Sequence, residues 1–155
     1  MVHVECDIEK IPAGHPVRLF GDYWVNGKAN RFAPAWSEFD IVEHPHAIPW
    51  ILLLKPEPSG NLRYVICGDG CSRIFGFSFA GKIFGEDLPP EAVEVRKKEF
   101  SRAIGGEAPI YSHTSLPLEG RGFIKVFRGV FPFLSPIGEL ERMIVIIAPD
   151  DLDRW

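Results

Sequence analysis

The sequence predicts an α+β fold: a five-stranded antiparallel sheet with short helices and one longer helix on one face. Two apolar segments, residues 51–55 and 61–67, are joined by a turn rich in proline and glycine, which is typical of a hairpin. A helical segment follows Pro89-Pro90, and three more strand-like segments follow that helix. With 155 residues, the chain is long enough for one domain with its own hydrophobic core.

The N-terminal segment is the least regular part of the chain. Val2, Val4 and Cys6 alternate with polar residues, which allows either a short edge strand or a disordered lead-in. Residues 17–27 read as a short helix, because their apolar side chains recur every three to four positions and Asn26-Gly27 ends the pattern. The apolar stripe lies outside the predicted core and has to be buried somewhere; it consists of Val17, Phe20 and Trp24.

Residues 61–84 form the centre of the predicted arrangement. They begin as a strand, since Leu62, Tyr64 and Ile66 alternate with the residues between them, and the strand breaks at Gly68. Single glycines then divide a compact apolar segment into short helical turns. These turns cannot fold alone, because their apolar side chains need a sheet to lie on.

The second half of the chain supplies a long helix and the rest of that sheet. Pro89-Pro90 opens a helix that runs to about residue 104, with Val93, Phe100 and Ile104 as its buried stripe. Its basic residues are expected to be mostly solvated: Arg96, Lys97, Lys98 and Arg102. Strands are predicted at residues 110–116, 122–133 and 140–148. The last is almost entirely apolar, so we expect it at the centre of the sheet, paired with the strands that start near Ile51 and Gly122.

The order and spacing of several short motifs are similar to those of a known protein family. The motifs are Tyr64, Gly68, Phe75-Gly76, Gly81-Lys82, the segments GGEAP at 105–109 and FPFLS at 131–135, and Arg142-Met143. This pattern resembles PAS sensory domains, and more closely a bacterial subgroup of single-domain PAS-like proteins. The resemblance covers residues 33–148, leaving an N-terminal flanking segment at 1–32 and an acidic tail at 149–155.

The resemblance implies a sensory, signalling or protein-interaction domain without catalytic activity. No output segment is visible in the sequence, so the output would pass through an unknown signalling protein or through self-association. PAS domains often dimerise through flanking N-terminal helices, which implies a homodimer with Val17, Phe20 and Trp24 in the interface.

The sequence predicts an apolar interior rather than a reactive site. Twelve phenylalanines against three tyrosines indicate an aromatic-rich interior, which is either a filled core or a pocket for a small apolar ligand. Phe75, Phe79 and Phe84 would form the apolar wall, and Tyr111 or His113 the polar anchor. The full set of candidate ligand-binding residues is Tyr64, Ile66, Phe75, Phe79, Phe84, Phe100, Tyr111, His113, Val126 and Ile144.

Metal, haem and flavin are not expected. Cys67 and Cys71 have no second pair to complete a zinc site. The long helix contains no histidine to ligate haem iron. Cys71 precedes Phe75-Gly76, and the chain has no glutamine and one asparagine after residue 30, which argues against the polar set that flavin-binding light sensors use.

Composition narrows the remaining classes. A net charge of −4 without a basic block argues against nucleic acid, and no apolar run is long enough for a membrane span. An N-terminus without a basic start and an odd number of cysteines favour the cytoplasm. Two other classes stay open. One is a small enzyme or ligand carrier on a cone-shaped, ketosteroid-isomerase-like α+β fold, which needs long helices first and a buried Asp or His base. The other is a purely structural assembly module.

Overall fold

The computed structural model describes residues 3–155 and confirms an α+β fold. Its strands are β1 (His3–Cys6), β2 (Ile51–Pro56), β3 (Leu62–Cys67), β4 (Ile110–Ser115), β5 (Lys125–Leu134) and β6 (Leu140–Pro149). Its α-helices are α1 (Pro16–Lys28), α2 (Asp69–Phe75) and α3 (Pro90–Arg102). Within the described residues, no helix is both long and apolar enough to cross a membrane.

The six strands form one antiparallel sheet in the order β1-β4-β5-β6-β2-β3. The predicted central position of β6 is confirmed, because Val145 lies opposite Val130 of β5 on one side and Leu52 of β2 on the other. The sheet has six strands rather than five, since β1 pairs with β4 at the edge. An edge strand was one of the two alternatives for this segment; Val2 lies outside the described residues.

Both faces of the sheet are covered, which explains why β6 is apolar throughout. Successive side chains of a strand point to opposite faces. Val145 and Ile147 face α2 and α3, whereas Ile144 and Ile146 face α1. The first face also carries the segment between α2 and α3, and the second carries the short turns between α1 and β2.

Helix α1 is part of the core, so the expectation that its apolar stripe lies outside the core is wrong. Val17, Phe20 and Trp24 are almost completely buried within their own chain. The Phe20 ring packs 4.9 Å from that of Phe131, and the indole N–H of Trp24 donates to the Pro132 carbonyl at 2.9 Å. The stripe is buried because it covers the face of the sheet that α2 and α3 leave open.

Helix α3 begins where the proline pair predicts, but two of its residue assignments are wrong. Arg96 was expected in solvent and is buried, as is Glu99 one turn further on. Ile104 was expected in the buried stripe and is 42% exposed. The α-helix ends at Arg102 and continues as a wider π-turn, Ala103–Glu107, which rotates Ile104 away from the sheet.

Candidate functional site

A narrow cleft lies between α3, α2 and the face of the sheet that they cover. It encloses a cavity of about 30 Å³. Ten of its lining residues are apolar: Leu52, Leu54, Phe75, Phe79, Phe84, Leu88, Phe100, Pro117, Val145 and Ile147. The other three are Tyr64, Arg96 and Arg128. We call this space the cleft.

Aromatic rings form most of the wall of the cleft. The ring of Phe79 lies 4.9 Å from that of Tyr64 and 4.9 Å from that of Phe75. Phe84 reaches Phe100 of α3 at 5.0 Å. These distances are typical of packed aromatic pairs. The rings therefore hold one another in place and leave little empty space between them.

The segment between α2 and α3 brings Phe79 and Phe84 over the cleft. Helix α2 ends at Gly76, whose φ of 87° is a left-handed conformation that favours glycine. The segment is then fixed to strand β3 by backbone hydrogen bonds: Gly81 donates to the Tyr64 carbonyl, and Tyr64 and Phe84 donate to the carbonyls of Lys82 and Leu62. The outer edge of the sheet and the cover of the cleft are thus connected directly.

A buried ion pair lies beside the cleft. Nη1 of Arg128 donates to Oε1 of Glu99 at 2.6 Å, and each residue is 3% exposed. Arg128 points into the interior because it occupies the same face of β5 as Val126 and Val130, between which it lies. A buried charge requires such a partner, since an isolated one would lose its hydration without compensation.

Arg96 is also buried, at 4% exposure, but its surroundings differ from those of Arg128. Its Nη1 lies 3.3 Å from Nδ1 of His3. No carboxylate in residues 3–155 lies within salt-bridge distance of it. Burial, followed by the charge of Arg128, lowers the pKa of Arg96 to about 9. The guanidinium remains largely charged at neutral pH and lacks a carboxylate counterion of its own.

The polar lining of the cleft consists mainly of hydrogen-bond donors. The two guanidiniums can only donate. Burial raises the pKa of Tyr64, so its phenol keeps its proton. Two acceptors near this cluster are buried without a partner in the described structure, Oε2 of Glu99 and Oγ of Ser112, but neither residue lines the cavity. A ligand in the cleft would therefore meet apolar surface and hydrogen-bond donors.

Five of the ten residues predicted to bind a ligand come together in the cleft: Tyr64, Phe75, Phe79, Phe84 and Phe100. The structure separates the others. Ile66 is 43% exposed on β3, because the register shifts by one residue between Leu53 and Leu54. Val126 faces the same side as Arg128 but does not line the cavity.

The two predicted polar anchors lie on the wrong face of the sheet. Tyr111 packs against Phe131 and Gly21 beneath α1. His113 stacks on Phe127 at 4.5 Å, and its Nε2 lies 2.9 Å from Oδ2 of Asp150. Ile144 pairs with Phe131 on this same face. The expectation was wrong because both faces of β4 and β6 are covered, so the sequence pattern does not reveal which face meets the cleft.

Arg96, Glu99 and Arg128 are the residues that the sequence reasoning missed. The signal was present: Arg96 lies four residues from Ala92 and four from Phe100, on the buried side of α3. Arg128 alternates with valines on β5. Helical and strand periodicity therefore indicates an interior position, although Arg96 is expected in solvent because of its charge.

The cleft as it stands has no room for a large cofactor. A cavity of about 30 Å³ has room for roughly two or three non-hydrogen atoms. A flavin or a haem is much larger than this space. That neither is bound stays a prediction. No group of three metal-ligating side chains occurs among residues 3–155, and the thiol of Cys71 is buried against the Ile147 carbonyl.

Two solved structures are similar to this chain. No family model and no curated protein matches it. It is similar to the light-state structure of the LOV domain of the blue-light photoreceptor Aureochrome1, with 14% identity over 70% of this chain and 86% of that one, and a TM-score of 0.46. It is also similar to an RNA-binding light-oxygen-voltage receptor, with 13% identity over 75% of this chain, and a TM-score of 0.46. The chain covers only 36% of that receptor's length.

Proposed function

We propose that this chain is a PAS-type sensory or protein-interaction domain without catalytic activity, in which the cleft receives the stimulus and a partner protein receives the output. The observation that carries the proposal is the cleft itself. It joins an aromatic wall to buried charges and is covered by a segment fixed to the edge strand β3. A change in the cleft would therefore move an exposed edge of the sheet.

The topology supports the PAS reading over the enzyme alternative. From residue 33 onward, the strands run β4-β5-β6-β2-β3 across the sheet, with the last strand of the chain at the centre, as the resemblance implies. The ketosteroid-isomerase-like alternative needs long helices first and a buried Asp or His base. Here α1 precedes the hairpin but packs on the sheet face opposite the cleft, and α3 follows the hairpin. The cleft is lined by no carboxylate or histidine.

The surface that would contact a signalling partner is distinct from the cleft. Because Val17, Phe20 and Trp24 are buried, self-association would have to use another part of the molecule. The edge strand β3 exposes Val65 and Ile66 next to the cover of the cleft. We propose a cytoplasmic setting, which agrees with three cysteines that are all free.

Hydrogen exchange measured by mass spectrometry tests this proposal. The protein is compared in plain buffer and in a low-molecular-mass extract of cells. We expect the extract to slow exchange at residues 76–102 and to change it at β3, since the two are hydrogen-bonded. Unchanged exchange at both places would reject the sensory role. A change at the cleft alone would reject β3 as the route of output.

A further inference from the structure

We propose that the cleft binds a small planar monoanion of the carboxylate class, held by the guanidiniums of Arg96 and Arg128. This inference rests on the proposed function, because it names the class of ligand for the same cleft. It replaces the apolar ligand expected from the sequence.

The buried charges beside the cleft do not balance. Arg96 and Arg128 bring two positive charges, and Glu99 brings one negative charge. His3 adds no compensation, because burial and the charge of Arg96 lower its pKa and leave it neutral at pH 7. The nearby Glu5 forms its ion pair with Arg102 on the surface. One positive charge therefore remains inside without a carboxylate, and a monoanion would neutralise it.

The polar groups of the cleft offer hydrogen-bond donors. Each guanidinium carries five N–H donors. One donor of Arg128 is used by Glu99, and one nitrogen of Arg96 faces His3. Tyr64 adds a hydroxyl to the lining. A ligand with acceptors can form hydrogen bonds with these donors, whereas a purely apolar ligand cannot.

The size and shape of the cavity suit a small carboxylate. A cavity of about 30 Å³ admits roughly two or three non-hydrogen atoms without any ring moving. The planar fork of a guanidinium matches the two oxygens of a carboxylate. Formate is the smallest carboxylate and is the probe we would use. A longer carboxylate would have to displace Phe79 or Phe84, and so would couple binding to the segment that covers the cleft.

The test is a titration with sodium formate at constant pH and ionic strength, with sodium methanesulfonate, which is not a carboxylate, as the balancing salt. The thermal midpoint Tm is measured for the wild type, Arg96→Met and Lys97→Met. Lys97 is exposed and adjacent to Arg96 on α3, so its variant removes a charge without touching the cleft. We expect a saturating rise in Tm for the wild type and Lys97→Met, and an affinity at least about tenfold weaker for Arg96→Met.

Several results would overturn the inference. These are the absence of a saturating rise in the wild type, an equal rise in Arg96→Met, or an equal rise with chloride, which has the charge but not the planar shape. If Arg96→Met does not fold, Arg96→Lys keeps the charge without the fork and should bind formate more weakly than the wild type. If formate does not raise Tm while the cell extract still alters hydrogen exchange at the cleft, the anion is rejected as ligand but the proposed sensory function is not. Failure of both would reject both.

Discussion

At the scale of single residues, the cleft depends on buried charges that are satisfied unequally. Glu99 and Arg128 form a close pair, whereas Arg96 has no carboxylate partner among the described residues. Replacing a buried pair by apolar residues can be neutral, but removing one partner leaves a desolvated charge alone. The consequence of a substitution here therefore depends on which member of the cluster it removes.

Glu99→Gln should destabilise the protein by about 3–5 kcal/mol, because it leaves the charge of Arg128 buried and unpaired. Urea denaturation measures the free energy of unfolding. Glu94→Gln is the matched control, since Glu94 lies on the same helix with an exposed side chain, and its change should stay within about 0.5 kcal/mol. A loss below about 1 kcal/mol for Glu99→Gln would mean that this pair is hydrated.

Phe79→Ala distinguishes a packed cleft from a hollow one. In a packed core the loss should be about 3–5 kcal/mol, and in a pocket that is already hollow about 1.5–3 kcal/mol. Three rings lie within 5 Å of the Phe79 ring, so we expect the larger loss. Phe123→Ala, at a side chain that is 77% exposed, serves as the control in the same denaturation experiment. A small loss, with a small molecule copurifying, would indicate a larger pocket.

His15 should make stability depend on pH. Burial lowers its pKa, although the hydrogen bond from Nε2 to the Pro149 carbonyl opposes part of that change. Because the folded pKa lies below the unfolded one, the contribution to stability is complete above pH 6.5 and is lost as pH falls toward the folded pKa. The slope for one proton is at most about 1.4 kcal/mol per pH unit.

His15→Gln should flatten this part of the curve, since glutamine does not titrate. Urea midpoints at several pH values between about 5 and 8 provide the measurement. His3 and His44 also have lowered pKa values, so some slope should remain. An unchanged slope in the variant would mean that His15 titrates alike in the folded and unfolded chains.

At the scale of elements, the sequence predicts what periodicity and turn residues determine. The proline pair fixes the start of α3, the glycine at residue 76 ends α2, and the apolar run of residues 140–148 predicts a central strand. The face on which each side chain lies was harder to predict. Tyr111 and His113 were predicted as polar anchors of the cleft, but β4 is buried on both faces, and only the position of α1 decides which face meets the cleft.

The packing of α1 against β4 explains a glycine in the middle of a helix. Alanine usually stabilises a helix by up to about 1 kcal/mol relative to glycine. At Gly21, however, a methyl group would lie 2.1 Å from the hydroxyl oxygen of Tyr111. We expect Gly21→Ala to destabilise the protein by about 1–3 kcal/mol, because the helix or the tyrosine would have to shift.

Gly27→Ala is the matched control on the same helix. Its nearest neighbouring atom would lie 3.7 Å away, an ordinary contact, so this variant should be neutral or more stable. Thermal unfolding of both variants makes the comparison. If Gly21→Ala were as stable as Gly27→Ala, α1 would not approach β4 as closely as described.

At the scale of the whole molecule, the N-terminal segment behaves as part of the domain rather than as an appendage. Strand β1 covers the edge of β4, and α1 covers one face of β5 and β6. The sequence instead predicts the apolar stripe of α1 in a homodimer interface, outside the core of a single copy. Both interpretations bury the same stripe of α1, but one buries it against a second copy and the other against its own sheet.

Removing residues 1–28 should therefore prevent stable folding. Burial of Val17, Phe20 and Trp24 contributes about 1.5–3 kcal/mol for each side chain, which together approaches the whole stability of an ordinary domain. We expect the shortened chain to be insoluble, or to lose the near-UV circular dichroism of its packed aromatic rings. Removing only residues 152–155, a final turn on the surface, should leave that spectrum intact. A soluble, natively packed monomer without residues 1–28 would show that α1 is dispensable for the core. Its apolar stripe would then again be a candidate for the surface through which two copies associate.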